Sequence, residues 1–142
     1  MDCKVCRSED TDYFVTKKDS KKYWRCNKCC AIFTDPSHYV EPEEEKERYL
    51  EHNNSIDDPD YRSFLSRVTN PLKKNIDQAS KGLDFGCGHG PALADILNKD
   101  GYLVDLYDPF FYPNKSIFNN KYNFITCTEA AEHFFNPQKE FE

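Results

Sequence analysis

The chain has 142 residues, 38% of them hydrophobic and 31% charged, which suits one domain plus a small module and excludes a disordered polymer. It holds no apolar run of the roughly 18 residues that a membrane span needs, and its polar start, MDCKVCRSED, lacks the apolar stretch of a signal peptide; the expectation is a cytoplasmic protein without a membrane partner. Net charge is −6 but uneven: through Thr34 eight Lys/Arg face five Asp/Glu, and from Asp35 onward eleven face twenty. An acidic body argues against a dedicated nucleic-acid binder and leaves only the basic N-terminal stretch for an RNA contact.

In chain order, Tyr13–Thr16, Lys22–Arg25 and Ala31–Thr34 are rich in aromatic and β-branched residues and predict three short strands, ended by Asp35-Pro36. Two cysteine pairs frame them. Cys3-x-x-Cys6 and Cys26-x-x-Cys29 stand nineteen residues apart, and each CxxC turn can offer two thiolates to one tetrahedral Zn²⁺. A module this short cannot bury enough apolar surface to fold alone, and metal binding can supply the deficit. Cys30 offers a CxxxC alternative to Cys29; the match to the first pair points to Cys29. Four protein ligands would make the site closed and structural. Tyr23, Trp24 and Phe33 are either an exposed aromatic platform or the module's small core.

Glu41-Pro42 followed by three glutamates predicts a helix start near residue 41. Asp57-Asp58-Pro59-Asp60 predicts a second helix, on which Tyr61, Phe64, Leu65, Val68, Leu72 and Ile76 form one apolar stripe; Pro71 is a point for a kink or a break. The rhythm then changes. Gly82–Phe85 reads as a strand, Pro91–Lys99 as a helix stopped by Gly101, Tyr102–Tyr107 and Tyr122–Cys127 as strands, and Thr128–Phe135 as a helix ending before Pro137. Strands alternating with helices predict an α/β unit with a parallel sheet. His38 and His52 stand outside any motif.

Between the first such strand and its helix lies Leu83-Asp84-Phe85-Gly86-Cys87-Gly88-His89-Gly90. Glycines at a strand-to-helix turn let backbone approach a nucleotide-type ligand at the carboxyl end of a parallel sheet. The dinucleotide fingerprint GxGxxG does not fit, because the third glycine comes one residue early. An acid two residues before the first glycine suits a cationic ligand group better than a pyrophosphate.

From Asp84 to Gly90 the sequence resembles the first motif, acid-x-Gly-x-Gly-x-Gly, of class I S-adenosylmethionine (SAM) dependent methyltransferases. The resemblance implies that Asp84, Gly86, Cys87, Gly88 and Gly90 bind SAM, the acid toward its amino group. It also implies that Asp108, eighteen residues after Gly90, takes the ribose hydroxyls. Strand alternation sets Asp105 on the opposite face from Asp108. The stretch from Tyr122 through Thr126 to Glu129-Ala130-Ala131-Glu132-His133 is similar to the family's fourth-strand motif, in the form of quinone-biosynthesis O-methyltransferases, and Thr126 is counted among the cofactor residues.

On a helix, Glu129, Glu132 and His133 would share a face. They are candidates for a divalent ion such as Mg²⁺, and His133 for a general base. The bland alternative is that the two acids favour a helix start and the histidine packs.

The expected organisation is a zinc ribbon over 1–36, a helical linker and lid over 37–80, and over 81–142 the first part of a Rossmann-like SAM-methyltransferase sheet, truncated after the fourth-strand motif. The thirteen residues between Asp108 and Tyr122 leave little room for the family's third strand and helix, or for its adenine-side acid. The fourth-strand equivalent is expected to be an open edge, covered in an oligomer if at all. The function expected is methyl transfer from SAM to a small-molecule acceptor, with zinc structural; the alternative is a non-catalytic zinc-ribbon module that recognises RNA or protein.

Overall fold

The computed structural model describes residues 1–51 and 55–141; His52 lies outside the described residues. The chain divides into two compact units, Met1–Glu44 with His133–Glu142, and Glu45–Glu132.

The first unit carries an antiparallel sheet, β1 (Thr11–Val15), β2 (Lys22–Cys26) and β3 (Ile32–Thr34), in that spatial order. The register aligns Tyr13 with Trp24 and Trp24 with Phe33, so one face carries a row of three rings. Trp24 donates its indole N–H to Asp35 at 2.8 Å, and Asp35 also accepts from the Ser37 N–H, capping a 3-10 turn at Pro36–His38. Among the described residues up to Tyr39, only Cys3 and Cys26 are buried; sulfur and backbone hold this unit together, not an apolar core. The Phe135 ring packs on Tyr39 at 4.7 Å.

Helix α1 (Pro42–Glu51) continues into the second unit, where α2 (Pro59–Lys73) follows. Asp58 caps α2, accepting from the Asp60 and Tyr61 N–H groups at 2.8 and 3.0 Å, and Pro59 fills the first helical position, where no N–H is needed. Pro71 falls in the last turn and the helix runs through it to Lys73. The predicted stripe is the buried face except at Phe64, which is exposed: Leu65 packs with Leu93, Leu97, Tyr102 and Phe124, and Tyr61, Val68, Leu72 and, past the end of the helix, Ile76 border that cluster. Arg62 ties α2 to α3 (Ala92–Lys99) through Asp95 at 2.7 Å.

Strands β4 (Lys81–Phe85), β5 (Leu103–Tyr107) and β6 (Phe124–Thr126) form a parallel sheet of order β5-β4-β6. The unit is thus mixed α/β with a small parallel sheet. Alternation sends Gly82, Asp84, Phe124 and Thr126 to the face covered by α3, and Leu83 and Phe85 to the other, where Ile117 and Tyr107 pack. Ile117 comes from a 3-10 segment, Lys115–Asn119, capped by Asn114, which fills the short stretch between β5 and β6 in place of a strand and helix.

The helix predicted over Thr128–Phe135 does not form. Glu129 takes a left-handed φ of +54°, which ends any helix there, and the segment holds only a 3-10 turn at Ala131–His133. Nor does helix stop before Pro137: Pro137 opens the short α4 (Pro137–Glu140), with Asn136 accepting from the Lys139 N–H.

Candidate functional site

The winding of the sheet reverses at β4, since the chain goes first to β5 on one side and then to β6 on the other. In open α/β sheets ligands bind beyond the carboxyl ends of the strands at such a reversal. The glycine turn lies there. The Gly86 and Cys87 N–H groups both donate to the Tyr107 carbonyl, at 2.8 and 3.2 Å, and pin the end of β4 to the end of β5.

Two glycines in the turn need to be glycine for different reasons. Gly86 has φ +74°, and a Cβ there would lie 2.5 Å from the Ala130 Cβ. Gly88 has φ +65°, and a Cβ there would meet nothing within 4 Å. Gly86 is confined by protein; Gly88 presents bare backbone to open space. Gly90 accepts from the Ala92 N–H at 2.7 Å and leads into α3.

Asp108, directly after β5, is 7% exposed and takes three backbone N–H groups. One carboxylate oxygen accepts from the Gly88 N–H at 3.0 Å; the other accepts from the Phe110 and Phe111 N–H groups at 2.9 and 3.1 Å. The tight reversal after it closes with paired backbone bonds between Asp108 and Tyr112. Asp105 faces elsewhere, in contact with Lys81, Tyr122 and Asn120.

Asp84 is 3% exposed and accepts from the Thr126 hydroxyl at 2.8 Å. Burial raises its pKa to about 6, because an ion there has lost its water; the Thr126 bond opposes part of that rise. Burial, with Asp84 and Asp108 nearby, also pushes the Cys87 thiol well above its ordinary range, and its sulfur lies 3.7 Å from the Gly88 carbonyl. Cys87 is therefore a protonated filler of the turn, not a nucleophile.

Three further features were not legible as site residues. Tyr61, counted in the apolar stripe of α2, titrates above its ordinary range through burial and the negative charge of Asp84 and Glu129. Tyr49 donates to Glu45 at 2.8 Å and packs on Phe110 with ring centroids 6.1 Å apart; burial, that bond and the charges of Glu45, Asp108 and Glu132 push its phenol upward. Phe111 lies between the His89 ring, at 5.7 Å, and the Lys46 ammonium, at 5.9 Å. The only sequence signal was the four-residue spacing of Glu45 and Tyr49 on a helix.

The structure thus brings together Asp84, Gly86, Cys87, Gly88, Asp108 and Thr126 at the carboxyl ends of β4 to β6, with Gly90 at the start of α3. It does not give Glu129, Glu132 and His133 the shared helical face expected of them, because that helix is absent. Among the described residues, the one group of metal-ligating side chains close enough to hold an ion is Cys3, Cys6, Cys26 and Cys29.

Those four sulfurs lie within 4.8 Å of one another, with Cys3 to Cys29 at 3.5 Å and Cys6 to Cys26 at 3.6 Å. Sulfurs on a tetrahedral zinc, at ~2.3 Å from the ion, stand about 3.8 Å apart, so the donor set and its spacing fit zinc. The Cys29 N–H donates to the Cys26 sulfur at 3.4 Å, a bond that favours the thiolate a metal requires. Cys30 is exposed, has φ +61° and lies outside the cluster.

Residues 32–142 match the methyltransferase domain family, and the chain belongs to that family. No curated protein and no solved structure matches it. Among the described residues, no helix is long and apolar enough to cross a membrane.

Proposed function

We propose that the second unit binds SAM at the turn after β4 and transfers its methyl group to a small-molecule acceptor, while zinc on Cys3, Cys6, Cys26 and Cys29 holds the first unit in shape. The observation that carries this reading is the Gly88 backbone: open on its Cα side, positive in φ, and tied to the Asp108 carboxylate. A ligand can approach the chain there with no atom within 4 Å of where a Cβ would stand, beside the buried Asp108.

SAM supplies a methyl group on a sulfonium, ready for in-line displacement by an acceptor nucleophile. The protein's part is orientation. Asp84 offers a desolvated carboxylate to the cationic amino-acid end of the cofactor, and Thr126 fixes that carboxylate by its hydrogen bond. Asp108 is the acceptor for ribose hydroxyls, and Gly86, Cys87, Gly88 and Gly90 form the backbone cradle. A buried acid near neutrality in pKa gains from a cationic partner what it lost in solvation, so Asp84 selects for a positively charged ligand. His133 and the two glutamates enter no step of this reading.

Calorimetric titration of the full chain with SAM and with its demethylated product tests it. One-to-one binding that Asp84→Asn weakens at least tenfold is expected; absence of heat at millimolar ligand rejects the reading.

A further inference from the structure

We propose that one face of the hairpin of the first unit is a docking surface for single-stranded nucleic acid, centred on Tyr13 of β1 and on the lysines of the turn that follows.

The first observation is exposure without a core role. Tyr13 and Val15 share one face of β1 and are 54% and 46% exposed, while Phe14, 38% exposed, lies on the other face. They lie on an edge strand of the antiparallel sheet. Residues that build this unit's interior are Cys3 and Cys26, so its exposed rings are not left over from a packed centre. Each ring is backed by a neighbour on β2. Tyr13 leans on Trp24 at 5.7 Å, and Phe14 stacks on Tyr23 at 5.8 Å with the planes 22° apart. Trp24 is in turn fixed by its bond to Asp35. Rings held in this way lose little freedom when a flat partner stacks on them, and any base can serve as that partner.

The second observation is charge. Between Thr11 and Thr34 the sequence carries Lys17, Lys18, Lys21, Lys22, Arg25 and Lys28 against Asp12 and Asp19. Both acids are engaged inside the unit. Asp19 is bonded to the Thr16 hydroxyl and the Lys21 N–H, and Asp12 accepts from the Asn27 amide at 3.1 Å. Four lysines cluster at the hairpin turn, immediately beyond Val15, while residues from 35 onward are strongly acidic. A polyanion is therefore drawn to this end of the chain and away from the rest. Exposed rings flanked by lysines combine base stacking with phosphate attraction, which is how proteins hold single strands without reading their sequence. A duplex hides its base faces and cannot use the rings.

Fluorescence anisotropy of the full zinc-loaded chain with a labelled oligouridylate tests the proposal. A single-stranded DNA of equal length and a DNA duplex are run in parallel, each over a range of salt. Both single strands bind and the duplex binds more weakly. Tyr13→Ala weakens binding about tenfold with the salt slope unchanged, while Phe14→Ala, on the opposite face, binds like the parent. The double variant Lys17→Glu/Lys18→Glu weakens it further and lowers the slope of log K against log salt by about 0.7 for each phosphate that is no longer neutralised. Zinc content measured on every variant shows that the cysteine site is kept, and the turn lies at the end of the β1–β2 hairpin opposite Cys26. The proposal is overturned if no anisotropy change occurs at low salt or if Tyr13→Ala and Lys17→Glu/Lys18→Glu bind like the parent. It is also overturned if phosphatidylserine vesicles bind as well as the oligonucleotide, with Tyr13→Ala having no effect.

Discussion

The Gly88 N–H donates to Asp108 Oδ2 across 3.0 Å and so joins the glycine turn after β4 to the acid that follows β5. Asp108 also takes the N–H groups of Phe110 and Phe111, so one buried carboxylate sets both loops at the sheet's carboxyl end. Asp108→Ala leaves three donors without an acceptor, at roughly 1–3 kcal/mol for each that stays buried. Urea denaturation should show a loss of at least about 2 kcal/mol. Asp108→Asn should be intermediate, since it keeps one oxygen for Phe110 and Phe111 but sets an amide N–H₂ opposite Gly88.

The two strained glycines should separate stability from binding. Gly86→Ala forces a Cβ to 2.5 Å from Ala130 in a left-handed conformation, and thermal unfolding should reveal a large stability loss. Gly88→Ala bears the conformational cost, about 1–2 kcal/mol, with no clash. Its Cβ instead enters the open space where the ligand is proposed to lie, so affinity should fall more than stability does. Equal effects of the two substitutions on both readouts would contradict the distinction.

Asp84 predicts a specific dependence on pH. Its pKa is about 6 in the folded chain and near 4 when unfolded, so between those values the folded state holds the extra proton. Stability from this group is unimpaired below pH 4, declines as pH rises toward 6, and stays lowered above it, by about 3 kcal/mol at most for a difference of roughly two pH units. Asp84→Asn should remove that decline and raise stability at pH 7, as measured by denaturant titration. Binding of a cationic ligand runs the other way: it should strengthen from pH 5 to 8 in the parent and stay flat in Asp84→Asn.

Much of this architecture could be read from residue pattern because it depends on local chemistry. The stripe from Tyr61 to Ile76, the Asp58-Pro59 start of α2 and the glycine turn each carry their own signal at short range. The helix expected over Thr128–Phe135 failed because Glu129 adopts a left-handed φ, which composition does not reveal. With it went the shared face of Glu129, Glu132 and His133. The Gly88–Asp108 bond spans twenty residues and exists only once β4 and β5 lie side by side; the Tyr49–Phe110 contact spans more and needs α1 against the loop after β5.

Zinc should be indispensable to the first unit. One equivalent per chain is expected, and chelation should abolish its strand signal in circular dichroism, because binding of structural zinc contributes on the order of 10–16 kcal/mol where little core exists. Cys29→Ser should lose the metal, while Cys30→Ser, outside the sulfur cluster, should keep it. Equal metal content in the two variants would contradict the assignment.

The central claim is that SAM occupies the open backbone at Gly88. The most direct measurement is calorimetric titration of the full chain and of its Gly88→Ala variant with SAM, both shown to be folded by thermal unfolding. One-to-one binding to the parent, weakened at least tenfold in the folded variant, is the predicted result. Binding of equal strength to both, or none to the parent at millimolar SAM, would contradict it.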